Sequence, residues 1–390
     1  MSTTETNEKP KQNEIQEGPA PMAKGALELT SKGYGFLRQE IKGYLPSPDD
    51  VFVPPDLIRR YELREGLVLE GPTQPPRGKG GPRLKKIDLV NGVQPEEVKG
   101  VKLMTELTPV IPSEQLALET DDGPLSMRIV DLVSPIGKGQ RGLIVSPPKA
   151  GKTTLLQQIA QAVSINYPAA HLMVVLVDER PEEVTDWKRK VNGEILASSS
   201  DQETASHLHV AELALEIAKR RAEMGQDVVI VLDSLTRMAR AYNRAQRAGG
   251  RTMSGGIDAK ALVIPRQIFG AARDTEEAGS LTLIASILVD TGSRMDDVIF
   301  QEFKGTGNME IILDRKIAEA RIWPAIDIAA SGTRREEELL GPEKSEKIYL
   351  LRRALSGVPP LKAIELLRSK LERYPTNNAF LQDLSKLASM

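Results

Sequence analysis

At 390 residues the chain is longer than one ordinary domain, and 40% hydrophobic side chains are enough to bury a sizeable core. Basic and acidic residues nearly balance, 52 against 54, so affinity for nucleic acid must reside in local patches rather than in a globally basic surface. The absence of cysteine excludes a disulfide framework and thiolate metal sites, and His171, His207 and His209 offer little for an imidazole site.

No apolar run approaches the length of a membrane span, and the N-terminus lacks a basic-then-apolar leader, so a soluble cytoplasmic protein without membrane contact is expected. Residues 1–24 are rich in Thr, Glu, Asn, Gln, Lys and Pro and are expected to form a disordered tail. From 25 to 98, five short β-like runs (26–29, 35–37, 51–53, 67–69 and 87–90) are separated by Gly, Pro and Asp. That spacing suits a small all-β barrel of the oligonucleotide-binding type. Residues 99–140 carry Pro109, Pro112, Pro124 and Pro135 among extended segments and read as a connector.

From 141 onward, apolar strands alternate with helices. Strand 142–145 precedes a helix from about 153 to 163; strand 172–177 precedes a helix opened by Pro181; strand 228–232 precedes a helix from 234. Further strands are expected at 281–289 and 309–313, and helices from 343 to the C-terminus. The pattern is α/β, with a mostly parallel sheet covered on both faces.

A phosphate-binding loop needs inward-pointing backbone N–H groups, a helix N-terminus, a Lys for the β- and γ-phosphates and a hydroxyl for Mg²⁺. The segment Ser146-Pro147-Pro148-Lys149-Ala150-Gly151-Lys152-Thr153 supplies them, with Ser146 in place of the usual first Gly. Two neighbouring strands also end in acids. Asp233 stands where such enzymes hold the Mg²⁺ shell, and Glu179 where a carboxylate can orient or deprotonate the attacking water. Arg180, beside it, can sense the γ-phosphate. In isolation each acid could be a turn or capping residue; open α/β sheets, however, gather ligands at this edge.

These residues resemble the Rho family of bacterial transcription termination factors. The likeness is carried by 142–153, by Asp178-Glu179-Arg180-Pro181-Glu182-Glu183, by Leu232-Asp233-Ser234-Leu235-Thr236-Arg237, by 303–310 and by Ser331-Gly332-Thr333-Arg334. It implies a RecA-like P-loop ATPase domain (141–390) preceded by a cold-shock-type, OB-fold RNA-binding domain (25–98). It further implies a homohexameric ring that moves 5′ to 3′ on single-stranded RNA and releases transcripts from the RNA polymerase elongation complex. The small helical domain that the family carries ahead of the barrel is expected to be missing, with the tail in its place.

The resemblance also implies roles. Lys149 and Lys152 contact the phosphates of ATP, with Ala150, Gly151 and Thr154 in the same loop, and Thr153 and Asp233 hold Mg²⁺. Glu179 acts on the water, Arg180 and Arg237 respond to the nucleotide, and Arg334 is an arginine finger for the neighbouring subunit, with Arg321 a second residue at that interface. Trp323 occupies the adenine-stacking position; from the sequence alone it could equally be a core aromatic beside Pro324.

Tyr34, Phe36 and Arg38 alternate along one stretch, hence share a face if it is a strand. Such a face can stack on splayed bases while Arg meets phosphate, or the aromatics can turn into a hairpin core. The resemblance adds Phe52 as a third base-contacting aromatic. The family's cytosine-reading Glu-Arg-Tyr falls on Pro82-Arg83-Leu84, so only Arg83 is kept. Arg77, Lys79, Arg83, Lys85 and Lys86 form an acid-free stretch suited to a phosphate-facing rim.

Arg237, Arg240, Arg244, Arg247 and Arg251 recur at intervals of three and four without an acid, as either a solvated helix face or a pore or subunit-interface surface. The following loop, with Arg251, Ser254, Gly255 and Gly256, and the loop ending in Arg294 correspond to the family's two RNA-gripping pore loops. A rotary- or secretion-type ATPase subunit is the alternative within the fold, and an RNA-binding protein on an inactive ATPase fold the alternative outside catalysis. The Tyr34/Phe36/Arg38 face argues against the first, and the joint presence of Lys152, Thr153, Glu179, Asp233 and Arg334 against the second.

Overall fold

The computed structural model describes residues 20–76, 80–246 and 254–388. The chain opens on a small closed barrel built from β1 (Met22–Leu29), β2 (Gly35–Arg38), β3 (Val51–Val53), helix α1 (Pro55–Tyr61), β4 (Val68–Gln74), β5 (Arg83–Leu84) and β6 (Leu89–Val90). The strand order β1-β2-β3-β5-β4-β6 closes through an antiparallel β1–β4 pairing. Strand alternation sends Leu27, Leu37, Val51, Val53, Leu69 and Leu84 into one buried cluster and leaves Phe36 and Phe52 on the outer face.

Two boundaries differ from the sequence reading. The first strand begins at Met22, not beyond 24, because Met22, Ala23 and Lys24 pair with Pro72, Gly71 and Glu70 at a polar, exposed end of the ladder that hydrophobicity does not mark. The expected tail otherwise falls on residues 1–19, outside the described residues. The expected connector contains, after β7 (Pro109–Val110), the helix α2 (Leu125–Val133), whose residues from Ser126 to Val133 are all buried. Leu116, Leu118, Met127, Ile129 and Val130 join the core of the following domain, so its prolines bracket a core helix rather than a linker.

The second domain continues with β8 (Arg141–Ser146), α3 (Lys152–Asn166), β9 (His171–Glu179), α4 (Pro181–Lys190), β10 (Glu194–Ser199) and α5 (Thr204–Glu223). Next come β11 (Val228–Asp233), α6 (Leu235–Ala245), α7 (Val263–Gly270), β12 (Asp274–Thr275), β13 (Leu281–Leu288), α8 (Arg294–Lys304), β14 (Met309–Ile312), α9 (Arg315–Glu319) and β15 (Gly332–Thr333). Three helices close the chain: α10 (Glu336–Leu355), α11 (Pro360–Leu371) and α12 (Asn377–Ala388).

Seven strands form one sheet in the order β10-β9-β11-β13-β8-β14-β15, parallel throughout except for the β14–β15 edge pair. The apolar runs that predicted these strands lie in a sheet buried on both faces. Ile144, Val174, Val231 and Ile284 enter the cluster under α2, α3 and α9 to α12. Their neighbours Val145, Val175, Leu232 and Leu283 enter the opposite cluster, under α5 to α8. β7 and β12 pair as a separate ribbon. The barrel rests on α5 and β10: Arg64 lies 3.2 Å from Glu223, and the Tyr44 hydroxyl donates to the Glu194 carboxylate.

Candidate nucleotide site and nucleic-acid face

The parallel sheet brings the C-terminal ends of β9 and β11 side by side and sets that of β8 on the same edge, one strand (β13) away, and each of the three ends supplies one part of the site. Past β8 the chain turns through Lys149 (φ +65°) and Gly151 (φ +86°) into α3. Gly151 is required on two counts, since a Cβ there would sit 2.5 Å from the Trp323 ring in a left-handed backbone. The first N–H groups of α3 have no partner within the helix, which suits a helix N-terminus to an anion.

Lys152 opens α3, and its ammonium pairs with the Asp233 carboxylate at the end of β11. Asp233 is fully buried; one oxygen also accepts from Ser286 Oγ at 2.9 Å, and the other has no hydrogen-bond partner. Glu179, at the end of β9, is 2% exposed, accepts from Arg237 Nη2 at 3.1 Å, and likewise keeps one oxygen without a partner. Burial, reinforced by the charge on Asp233 and opposed by Lys152 and Arg237, pushes the Glu179 carboxyl up to about 7. Two buried carboxylates with free lone pairs, beside a lysine and a helix N-terminus, can take a phosphate chain, a cation and an attacking water.

Thr153 lies in the first turn of α3, half-buried, and Thr154 is exposed beside it. The unpartnered Asp233 oxygen and the Thr153 hydroxyl fit a divalent cation shared with phosphate oxygens. Among the described residues, no cluster of three His, Cys, Asp or Glu could hold a metal by itself. Next to the loop, a cleft of 530 Å³ is lined by Pro124, Leu125, Thr154, Leu155 and Leu313, with Trp323 at its wall. Trp323 is 40% exposed and packs against the loop at Gly151, so it is an exposed ring beside the loop rather than a core aromatic.

The other expected nucleotide residues divide. Arg237, on α6, donates to Glu179 and, at 2.6 Å, to the Asp178 carbonyl, so it joins the site directly. Arg180 and Arg321 are exposed. Arg334 is exposed and follows β15, which pairs with the start of β14 beside Gly142 at the start of β8. It therefore lies at the opposite edge of the sheet from the phosphate loop, roughly a strand length of 15 Å away. The fold does not bring Arg334 to the site of its own chain.

On the barrel, β2 and β3 place Phe36 opposite Phe52. Tyr34, Phe36 and Phe52 form a half-buried cluster with ring centroids 5.3–6.0 Å apart. The Arg83 guanidinium lies 5.7 Å from the Phe52 centroid, while Leu84 points into the barrel core. Arg38 departs from the expectation of a phosphate contact. It is 9% exposed, and its guanidinium is taken by Glu28 and Asp50 while stacking 5.2 Å from the Phe36 centroid. It backs the aromatic face instead of projecting from it. Lys85 and Lys86 are exposed; Arg77 and Lys79 lie outside the described residues.

The arginine stripe is neither a solvated face nor a free basic surface over its first three members. Arg237 and Arg244 converge on Asp178 and Glu179, with Arg244 Nη2 3.0 Å from Asp178 Oδ2. Arg240 clasps the buried Asp296 on α8 through both nitrogens, one of them at 2.8 Å. Arg247 and Arg251 lie outside the described residues. Gly255, in the loop holding Ser254 and Gly256, has φ +82°, and a Cβ there would stand 2.8 Å from the Arg294 carbonyl. The two expected pore loops therefore touch each other, with Arg294 exposed at their junction.

Sequence reasoning gave no role to Asp178, Ser286, Asp296, Glu28 or Asp50. A signal existed for three of them: an acid-free arginine helix requires acids elsewhere, here Asp178 and Asp296, and Ser286 interrupts the otherwise apolar second half of β13.

A phosphate loop at one strand end, acids at two others of the same sheet edge, and helices on both faces define a P-loop ATPase of the RecA-like class. In agreement, residues 126–333 match the ATP synthase alpha/beta family, nucleotide-binding domain. The fold is shared with an ATPase from the type III secretion system of pathogenic bacteria (TM-score 0.61, 22% identity, covering 79% of this chain and 94% of that one). It is shared also with the ATPase EscN of enteropathogenic E. coli (TM-score 0.58, 22% identity, covering 71% and 72%).

Residues 23–96 match the Rho termination factor, RNA-binding domain. The transcription termination factor Rho of Chromobacterium violaceum is 49% identical over 96% of this chain and 90% of its own length. That of Allochromatium vinosum is 51% identical over 92% and 87%. The chain belongs to the Rho family of transcription termination factors, and joins an RNA-binding barrel to an ATPase domain.

Proposed function

We propose that the chain is one subunit of a homohexameric motor that hydrolyses ATP at its subunit interfaces and moves 5′ to 3′ along RNA, displacing the transcript from RNA polymerase. The observation that carries this reading is the separation within one chain of Arg334 from Lys152, Glu179 and Asp233. A site with a base and a phosphate loop, whose arginine finger its own chain holds out of reach, is completed when a neighbour supplies that finger.

In this reading Lys149, Lys152 and the N–H groups of the loop hold the phosphates, and Trp323 stacks on the base. Glu179 accepts the proton of the attacking water, while Arg237 fixes its orientation. Thr153 and Asp233 would hold Mg²⁺, which supplies charge neutralisation on the phosphate oxygens. Tyr34, Phe36 and Phe52 capture single-stranded RNA by stacking, worth about 1–3 kcal/mol per base, and Arg83 adds charge. The loops at Gly255 and Arg294 grip RNA in the ring. A soluble, cytoplasmic location fits a chain in which no described helix is long and apolar enough to cross a membrane.

Strand displacement tests this directly. A DNA oligonucleotide annealed downstream of a single-stranded 5′ RNA extension is released on addition of ATP, and one annealed upstream of a 3′ extension is not. Release from the 3′-extended substrate alone would reverse the direction, and release from neither would remove the motor.

A further inference from the structure

We propose that His209, on helix α5 of the ATPase domain, is the positioning residue that holds the barrel's aromatic face in its RNA-binding arrangement. The inference rests on the reading of Tyr34, Phe36 and Phe52 as an RNA site.

His209 projects from α5 into the seam between the two domains. Its Nε2 lies 3.0 Å from the Tyr44 carbonyl oxygen and its Nδ1 3.3 Å from Glu28 Oε1. Both partners are acceptors. A neutral imidazole donates from one nitrogen, so only the imidazolium satisfies the two together. The other Glu28 oxygen accepts from Arg38 Nε, and Arg38 in turn pairs with Asp50 and stacks on Phe36. Glu28 and Phe36 are cross-strand neighbours on β1 and β2. One charged ring thus reaches, through a single carboxylate, the arginine on which the aromatic face is built.

The opposite side of the same helix turn faces the nucleotide site. His207 bonds Ser198 Oγ at 2.6 Å and lies 3.8 Å from Asp178, the residue before Glu179. Residues two apart on a helix point to nearly opposite sides, so α5 holds the barrel with one imidazole and braces the end of β9 with the other.

The groups facing His209 set its charge. Glu28 comes from β1, Arg38 from β2, the Tyr44 carbonyl from the following loop and Glu65 from the turn after α1. Burial and Arg38 disfavour protonation; Glu28 and the Tyr44 carbonyl outweigh them, and the His209 pKa is raised. The sign follows. The clamp is complete below the ordinary imidazole pKa of about 6.5 and is lost as pH rises through the higher value of the clamped ring. When it is lost, only the fraction of molecules with Arg38 in place binds RNA, and apparent affinity falls by that fraction.

The test uses the full chain and a short, fluorescein-labelled, mixed-sequence oligoribonucleotide, with anisotropy read from about pH 6 to about pH 8.5. Wild type is expected to lose roughly fivefold to tenfold in affinity across the range. His209→Gln, which keeps the shape and one donor without the charge, binds at the weakened level at every pH. His209→Lys, which keeps the charge, retains tight binding at the alkaline end; a merely structural role would produce neither the flat profile nor the rescue. Phe52→Ala separates the two claims. If Phe52→Ala weakens binding while His209→Gln follows the wild-type profile, the role of His209 is overturned and the RNA face stands. If Phe52→Ala binds as wild type, the RNA face is wrong and the clamp falls with it.

Discussion

Glu179 combines two properties that conflict in a folded protein: it is almost wholly buried, and the proposed chemistry requires it ionised. Its unpartnered oxygen and raised pKa express that conflict. Because the native state holds a proton more tightly than the unfolded chain, its contribution to stability is lost as pH rises towards about 7. Glu179→Gln is therefore expected to raise the melting temperature at about pH 8 and to close the gap to wild type towards about pH 5, as read by calorimetry of the nucleotide-free protein. The same variant is expected to lose at least about a hundredfold in hydrolysis while still binding ATP. Lys152→Ala is expected to lose binding as well, which fluorescent-nucleotide titration separates from the loss at Glu179. At this scale the acids at strand ends were legible because an apolar run ending in a carboxylate is a local pattern. Alternation predicts the face of Arg38 but not that Glu28 and Asp50 occupy its guanidinium.

At the scale of elements, α6 connects the acid at the end of β9 to the start of α8. Arg237 and Arg244 hold Asp178 and Glu179, and one turn along, Arg240 holds Asp296 beside Thr291 and the loop carrying Arg294. A shift of α6 is therefore felt at both places. Arg240→Ala leaves the buried Asp296 with Thr291 but without its charge partner. It is expected to cost about 2–3 kcal/mol in urea unfolding, below the value for a fully enclosed pair because Arg240 is about a third exposed. Arg240→Ala is also expected to weaken the RNA stimulation of hydrolysis more than it weakens ATP binding. The alternation of strand and helix made most of this sheet readable, but β10, α5 and the true extent of the second domain were not drawn from the sequence. α2 hid among prolines, and the regular apolar spacing of α5 gives no sign that its two histidines face different domains.

At the scale of the whole molecule, the fold separates what the proposed chemistry must unite. Arg334 stands at the far edge of the sheet from Lys152, so Arg334→Ala is expected to bind ATP normally and fail to hydrolyse it. Mixing it with Glu179→Gln chains is expected to restore hydrolysis at the junctions that pair an intact Glu179 with an intact Arg334. No recovery at any ratio would place the finger elsewhere. The family was legible from motifs because catalytic geometry demands particular residues at particular strand ends, whereas the contact between barrel and ATPase domain arises from residues remote in sequence. The central question is whether RNA governs the ATPase. Steady-state ATP hydrolysis by the wild-type chain, measured alone and with single-stranded RNA homopolymers or single-stranded DNA, decides it. Strong stimulation by RNA, reduced in Phe52→Ala at limiting RNA, is the predicted result; a rate indifferent to RNA would contradict the account.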